Sequence, residues 1–417
     1  MIADVIVVGA GPAGTSTAIS LAWRGRDVLL LDRAHFPRAK PCAEYLSPQA
    51  SRVLHDLGVL ETVERSGAAQ LSGMAIRAPD GTCMLGEFAG CAVAGFRDRG
   101  LSVRREVLDT ILVERARAAG ARVIEGARVT DVLRDAAGTV CGVQFSRGSV
   151  HATARARLVV GADGLRSIVA RRLGLARRAR WPHRIALVTH YESVAEIGAC
   201  GEMHVERDGY VGVADVGGGV TTVALVVPAA RGREIGGSDM RRAAFLEQWL
   251  AARPQLAQRF AQARRVSPVR ATGPFAARAT RSWAPGVALV GDAADFFDPF
   301  TGEGIYAGLR GGELVARFGD EMLGATSAQE CLQALRRYEK ARRSEFGGKW
   351  LVERLIAAVV ASPRLMNRAA RVLATRKDMA DLLVGVTGDF VPASAVLNAR
   401  YLFDLFVAPA PRPATER

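Results

Sequence analysis

Asp4-Val5-Ile6-Val7-Val8-Gly9-Ala10-Gly11-Pro12-Ala13-Gly14 reads as a buried strand running into a glycine turn and then a helix from Thr15 to about Arg24. The unbroken Val/Ile run suits a parallel strand covered on both faces. Each glycine answers a separate steric need, with Gly9 permitting a tight turn, Gly11 the close approach of a pyrophosphate, and Gly14 the packing of helix on strand. Pro12 and Ala13 open the helix, whose free N–H groups and dipole favour phosphate. A second strand, Asp27 to Asp32, ends in an acid eighteen residues after Gly14. A carboxylate there suits an adenosine ribose hydroxyl and repels a 2′-phosphate, so the site predicts FAD or NAD rather than NADP. Arg33 follows as a further cofactor-binding candidate.

Working outward, 417 residues suffice for two or three folding units, and 49% hydrophobic with 24% charged residues is an ordinary globular balance. The net charge of +14 is spread along helices, which predicts a solvated basic surface. No nucleic-acid reader motif accompanies it. The six cysteines (Cys42, Cys83, Cys91, Cys141, Cys200, Cys331) form no CxxC pair, so no metal site is expected and a reducing cytoplasm is. The core strand begins within a few residues of Met1, leaving no room for a signal peptide. No apolar run reaches bilayer length, so membrane contact is expected to be peripheral at most.

Along the chain, Ser47-Pro48 predicts a capped helix ending at Gly58, and Arg105-Glu106-Val107-Leu108-Asp109 opens an amphipathic helix stopping at Gly120. Short strands follow at 122–125, 128–133, 140–145 and 156–160, the last running into Asp163-Gly164. Alternation over 184–192 and 219–227 predicts an antiparallel sheet. Helical sequence at 238–264 precedes a buried strand at 287–290, which delivers Gly291-Asp292 and then Pro299-Phe300-Thr301-Gly302-Glu303-Gly304-Ile305. The rest is helical to Val386, with a frayed tail after Ala408.

These ordered motifs resemble the flavoprotein superfamily of class A aromatic hydroxylases and geranylgeranyl reductases, over residues 1 to about 320. The resemblance implies an α/β fold: a Rossmann-like FAD-binding domain of the glutathione-reductase type, interleaved with an antiparallel-sheet substrate domain, plus C-terminal helices. The expected boundaries are 1–70, 95–176 and 270–330 for FAD, 71–94 and 177–269 for the sheet, and 331–417 for the helices. It implies that Asp292 contacts the flavin ribityl and phosphate region and that Pro299, Gly302, Gly304 and Ile305 lie beside the isoalloxazine, where a helix N-terminus stabilises reduced flavin. Arg105, in Arg-x-x-Leu-Asp, resembles the arginine that reaches the cofactor, with Arg104 its rival. Lys40 and Cys42 belong to a Pro-x-x-Lys-x-Cys segment of the reductase branch. Two departures stand out: Ala43-Glu44 replaces the usual glycine pair, and the Tyr-x-Trp-x-Phe-Pro signature keeps Tyr210 but has Gly212, Ala214 and Asp215. The loss of two aromatic walls predicts a wider, reshaped cavity. No Trp-x-Trp occurs, which sets halogenation aside.

No second glycine fingerprint follows a strand, so NAD(P)H is expected to visit a single FAD domain transiently. The leading expectation is an FAD-dependent monooxygenase that uses NAD(P)H and O2, through a flavin C4a-hydroperoxide, to hydroxylate a phenolic or polyketide-type ring, with or without a lipid tail. The alternative is a flavoenzyme reducing isolated C=C bonds of a prenyl or lipid substrate. An electron-transfer or scaffold protein is the third reading, disfavoured by the lack of an iron–sulfur cysteine cluster. His190, Tyr191, His204 and Tyr210 are candidate pocket residues from the sheet, and no catalytic base stands out.

Overall fold

The computed structural model describes residues 1–179 and 181–409, so the tail after Ala408 lies almost wholly outside the described residues. Its central sheet has the order 283–284, 287–289, 158–161, 5–8, 28–31, 122–124. Val5–Val8 pairs in parallel with Leu158–Gly161 on one side and Val28–Leu31 on the other. All four of its residues are buried. Alternation divides the strands between two cores: Val5, Val7, Val28 and Leu30 face helices Pro12–Ala22, Arg105–Ala118 and Gly304–Gly324. Ile6, Val8, Leu29 and Leu31 face an antiparallel meander of Ala127–Arg134, Val140–Arg147 and Val150–Arg155. Coverage of both faces is why these strands lack polar alternation. Each fully buried aliphatic side chain contributes about 1.5–3 kcal/mol.

Helix Pro12–Ala22 starts three residues earlier than expected because Pro12 fits its first position. It crosses helix Gly304–Gly324 closely, and Ser16 Oγ donates to Leu309 O at 2.7 Å. Ser47 caps Pro48–Asp56 by accepting from Ala50 N at 3.1 Å.

The second sheet combines Gly73–Arg77 and Cys83–Glu87 with strands Arg184–Glu192, Cys200–Glu206, Gly209–Asp215 and Val220–Pro228, plus short edge pieces at 264–265 and 270–272. It is not wholly antiparallel: Gly73–Arg77 runs parallel to Cys200–Glu206, because a long excursion of chain separates the two. One face carries helices Asp239–Ala251 and Pro254–Phe260, against Leu187, Val211, Val223 and Leu225. The other faces the cofactor side and the C-terminal helices.

Helix Ala328–Val360, 33 residues and about 50 Å long, ties the halves together. Its first part packs on the central sheet, where Tyr338 Oη donates to Leu289 O at 2.7 Å. Its last part joins Pro363–Thr375, Lys377–Thr387 and Ala399–Phe406 over the second sheet.

Candidate functional site

The glycine turn forms one end of a cavity of about 240 Å³. Gly9 has φ +102°, and a Cβ there would lie 2.5 Å from Ala162 O. A Cβ on Gly14 would lie 1.8 Å from Gly9 O, so strand and helix touch through bare backbone. At Gly11 the nearest atoms to a Cβ are the guanidinium nitrogens of Arg38 at 3.5 Å and Arg105 at 3.7 Å. No side chain caps helix Pro12–Ala22, so its first N–H groups remain available.

Arg105 is buried and donates through Nε and Nη2 to Asp109 at 3.0 and 2.9 Å. Arg38 reaches the same carboxylate at 3.3 Å, and its Nε is buried without a partner. Two guanidiniums on one carboxylate leave net positive charge and spare donors beside an uncapped helix start. That donor set fits the pyrophosphate of FAD.

Lys40, Cys42, Gly164, Gly291, Asp292, Pro299, Gly302, Gly304 and Ile305 line the same cavity with Gly11, Pro12, Ala13 and Arg105. Lys40 Nζ stands 3.7 Å from Asp292. Helix Gly304–Gly324 begins in the cavity wall, again without a side-chain cap.

Of the cofactor candidates outside the glycine turn, three stand apart from this wall. Arg33 is exposed beyond the strand end. Asp32 joins the glycine turn to its own loop, accepting from Ala10 N at 2.7 Å and Ala34 N at 2.8 Å, with further lone pairs left on its oxygens. Asp163 accepts from Ile168 N at 2.6 Å and so starts a short helix, while burial raises its pKa and its Oδ1 stays unpartnered.

The sheet supplies the opposite wall through Ala186, Val188, Met203, Tyr210, Gly212, Ala214, Ala224 and Val226. Gly212 and Ala214, the two departures from the aromatic signature, both face the cavity beside Tyr210. Tyr210 is buried, donates to Asp298 at 2.6 Å, and stacks edge-on with Phe300 at 5.0 Å. Burial, then the Asp298 charge, pushes its pKa well up, so it stays a phenol.

His190 meets Glu44 at 2.8 Å and Ser267 Oγ at 2.9 Å, and Glu44 itself lines the cavity. His204 is not a pocket residue. It lies one step out of phase with Met203, on the helix-covered face, bonded to Glu202 at 2.9 Å. Burial raises the Glu202 carboxyl, but hydrogen bonds from His204 and Arg259 outweigh it and hold the pKa at about 2.

Sequence reasoning missed Arg38, which reaches Asp109, and the cavity residues Glu44, Glu303 and the inner stripe of the long helix: Arg342, Phe346, Lys349, Trp350 and Glu353. Spacings of 4, 7, 8 and 11 from Arg342 place that stripe on one face, a signal present in the sequence.

A second cavity of about 90 Å³ adjoins the first and shares Met74, Met203, Phe300 and Thr301 with it. Its walls are otherwise almost entirely apolar, with Ile356, Val360, Met366, Ala370, Leu373 and Leu405 supplied by the C-terminal helices. Among the described residues no cluster of His, Cys, Asp or Glu could hold a metal ion, and no helix is long and apolar enough to cross a membrane.

Comparison with known proteins agrees with this geometry. A digeranylgeranylglycerophospholipid reductase of Methanopyrus kandleri is 32% identical over 93% of both chains. The menaquinone reductase of Mycobacterium tuberculosis is 27% identical over 93% of this chain and 91% of its own. The myxobacterial chondrochloren halogenase CndH superposes with a TM-score of 0.78 at 23% identity, covering 94% of this chain and 99% of its own, a likeness of fold. The sequence profile of the FAD binding domain family matches residues 2–343. With that match and a cradle suited to pyrophosphate, the chain belongs to the FAD binding domain family and is an FAD-dependent oxidoreductase.

Proposed function

We propose that this oxidoreductase reduces isolated C=C bonds in the prenyl chain of a lipid or quinone. The observation that carries the reading is the apolar compartment beneath the C-terminal helices, which adjoins the cofactor cavity and shares Met74, Met203 and Phe300 with it. Such a compartment suits a hydrocarbon tail better than a compact phenol. The reductase names of the relatives support this reading over the aromatic hydroxylation that the sequence alone favours.

On this reading Gly11, Pro12, Ala13, Arg38 and Arg105 hold the FAD phosphates. Asp32 keeps lone pairs for the ribose, while Asp292 and the start of helix Gly304–Gly324 serve the flavin end. Reduced FAD supplies a hydride when bound. The apolar sheet wall excludes water and aligns the alkene, and a protein acid must supply the balancing proton. NAD(P)H is retained as the electron donor to be tested.

The test is anaerobic reduction of the holoenzyme with NADPH, NADH or dithionite, followed by digeranylgeranylglycerophospholipid or menaquinone and mass spectrometry. The expected product carries two added hydrogens per reduced bond. No mass gain, with label from oxygen gas entering a phenolic substrate in air, would return the assignment to the hydroxylase.

A further inference from the structure

Glu303 sits between Gly302 and Gly304, where the cofactor-side loop becomes helix Gly304–Gly324. It is 6% exposed and lines the main cavity, yet its carboxyl makes no hydrogen bond or ion pair among the described residues. The cation nearest in role, Lys349, is paired with Asp389 instead. Tyr45 Oη and Thr301 Oγ1 line the same cavity, belong to side chains more than nine-tenths buried, and lack partners. A group of unmatched polar atoms, buried together in the cavity wall, marks a place where something else must be met.

The charged and titratable groups that face Glu303 are Tyr45, Lys349 and Glu353 on the surrounding elements and Asp389 after helix Lys377–Thr387. Burial, then the Asp389 charge, raises the Glu303 pKa well above the usual carboxyl range, with Lys349 opposing and Glu353 adding to the rise. Glu353, on the inner stripe of the long helix, is itself pushed up to about 8 by burial and then by Asp298. It is only half-buried and also lines the cavity, and its charge is felt at Glu303.

We propose that Glu303 is the catalytic acid that protonates the alkene, with Glu353 as its route to bulk water; this rests on the reductase reading. One alkene carbon takes the hydride and its electron pair from reduced FAD, and the other takes the proton of Glu303. The π bond is lost, two C–H bonds form, and FAD is left oxidised. The Glu303 carboxylate regains a proton from Glu353, which is reprotonated by solvent, and the external donor restores reduced FAD.

The test uses full-length holoenzyme reduced anaerobically with dithionite and then mixed with digeranylgeranylglycerophospholipid. Glu303→Gln keeps the shape and removes the proton. It should bind FAD and accept electrons as the wild type does, but substrate-driven flavin reoxidation should fall about 100-fold or more. In the wild type that reoxidation should slow as pH rises through the raised pKa, because the reactive form is the protonated one. Infrared spectra at neutral pH should show a protonated-carboxyl band that Glu303→Gln lacks.

Equal reoxidation by wild type and variant overturns the assignment alone. So does a wild-type rate that stays flat up to the alkaline limit of stability, which does not need the variant to fold, or a wild-type-minus-variant infrared difference without a protonated-carboxyl band. A wild type that leaves the probe unreduced overturns the reductase reading and the acid with it.

Discussion

Glu44 shows how much one residue can be asked to do. It stands at φ +64°, a conformation natural to glycine, where the resembling family carries a glycine pair. Its carboxylate compensates by accepting from the buried Arg105 N at 2.9 Å and meeting His190 at 2.8 Å. Glu44→Ala keeps the strain and strands both partners, so it should cost about 1–3 kcal/mol. Glu44→Gly strands the same partners but relieves the left-handed backbone, so thermal melts should place it about 1 kcal/mol above Ala. Equal stability of the two variants would remove strain from the account. Arg105 and Asp109 lie one helical turn apart, whereas the Glu44–His190 contact, 146 residues apart in sequence, follows from no local pattern.

At the scale of elements, the crossing of helices Pro12–Ala22 and Gly304–Gly324 places the glycine turn against the flavin-side loop. A Cβ on Gly312 would lie 2.7 Å from Ser16 Cβ and 2.8 Å from Thr17 N, which is backbone and cannot swing aside. Gly312→Val should therefore push the helices apart, costing about 1–3 kcal/mol and lowering the flavin-to-protein ratio on purification. Gly324→Ala, near the end of the same helix with nothing within 4 Å, is the control and should melt no lower than wild type. A Gly312→Val protein that melts and retains flavin like the control would show that the crossing can loosen freely. The strands and helices themselves were visible as runs and caps. Their partners were not, because a buried Val-Ile-Val-Val run specifies coverage on both faces without saying by what.

At the scale of the whole molecule, the proposed reductase function would make the C-terminal helices decide what length of substrate fits. Ala370 is fully buried and lines the second cavity. Ala370→Met should take the place of about three methylenes of a bound tail, at about 0.8 kcal/mol each, and lower kcat/KM for a geranylgeranyl chain on the order of 50-fold. Turnover of a geranyl chain should change far less. A uniform loss across chain lengths would mean that the tail lies elsewhere.

The sequence by itself determined the dinucleotide turn, the parallel core strands and the capped helix starts. Each of these is encoded in a few neighbouring residues whose steric or charge requirements are local. Tertiary structure alone decided which face of the second sheet became the cavity wall, and hence why Met203 looks into it and His204 away. Alternation divides a strand into two faces, but only the docking of helix Pro254–Phe260 covers one of them. It also decided the environment of Glu303: the same carboxyl would be an ordinary surface acid were Lys349 not committed to Asp389 and the long helix not laid across the cavity. Desolvation and charge neighbours are properties of the packed molecule, and no short stretch of sequence contains them.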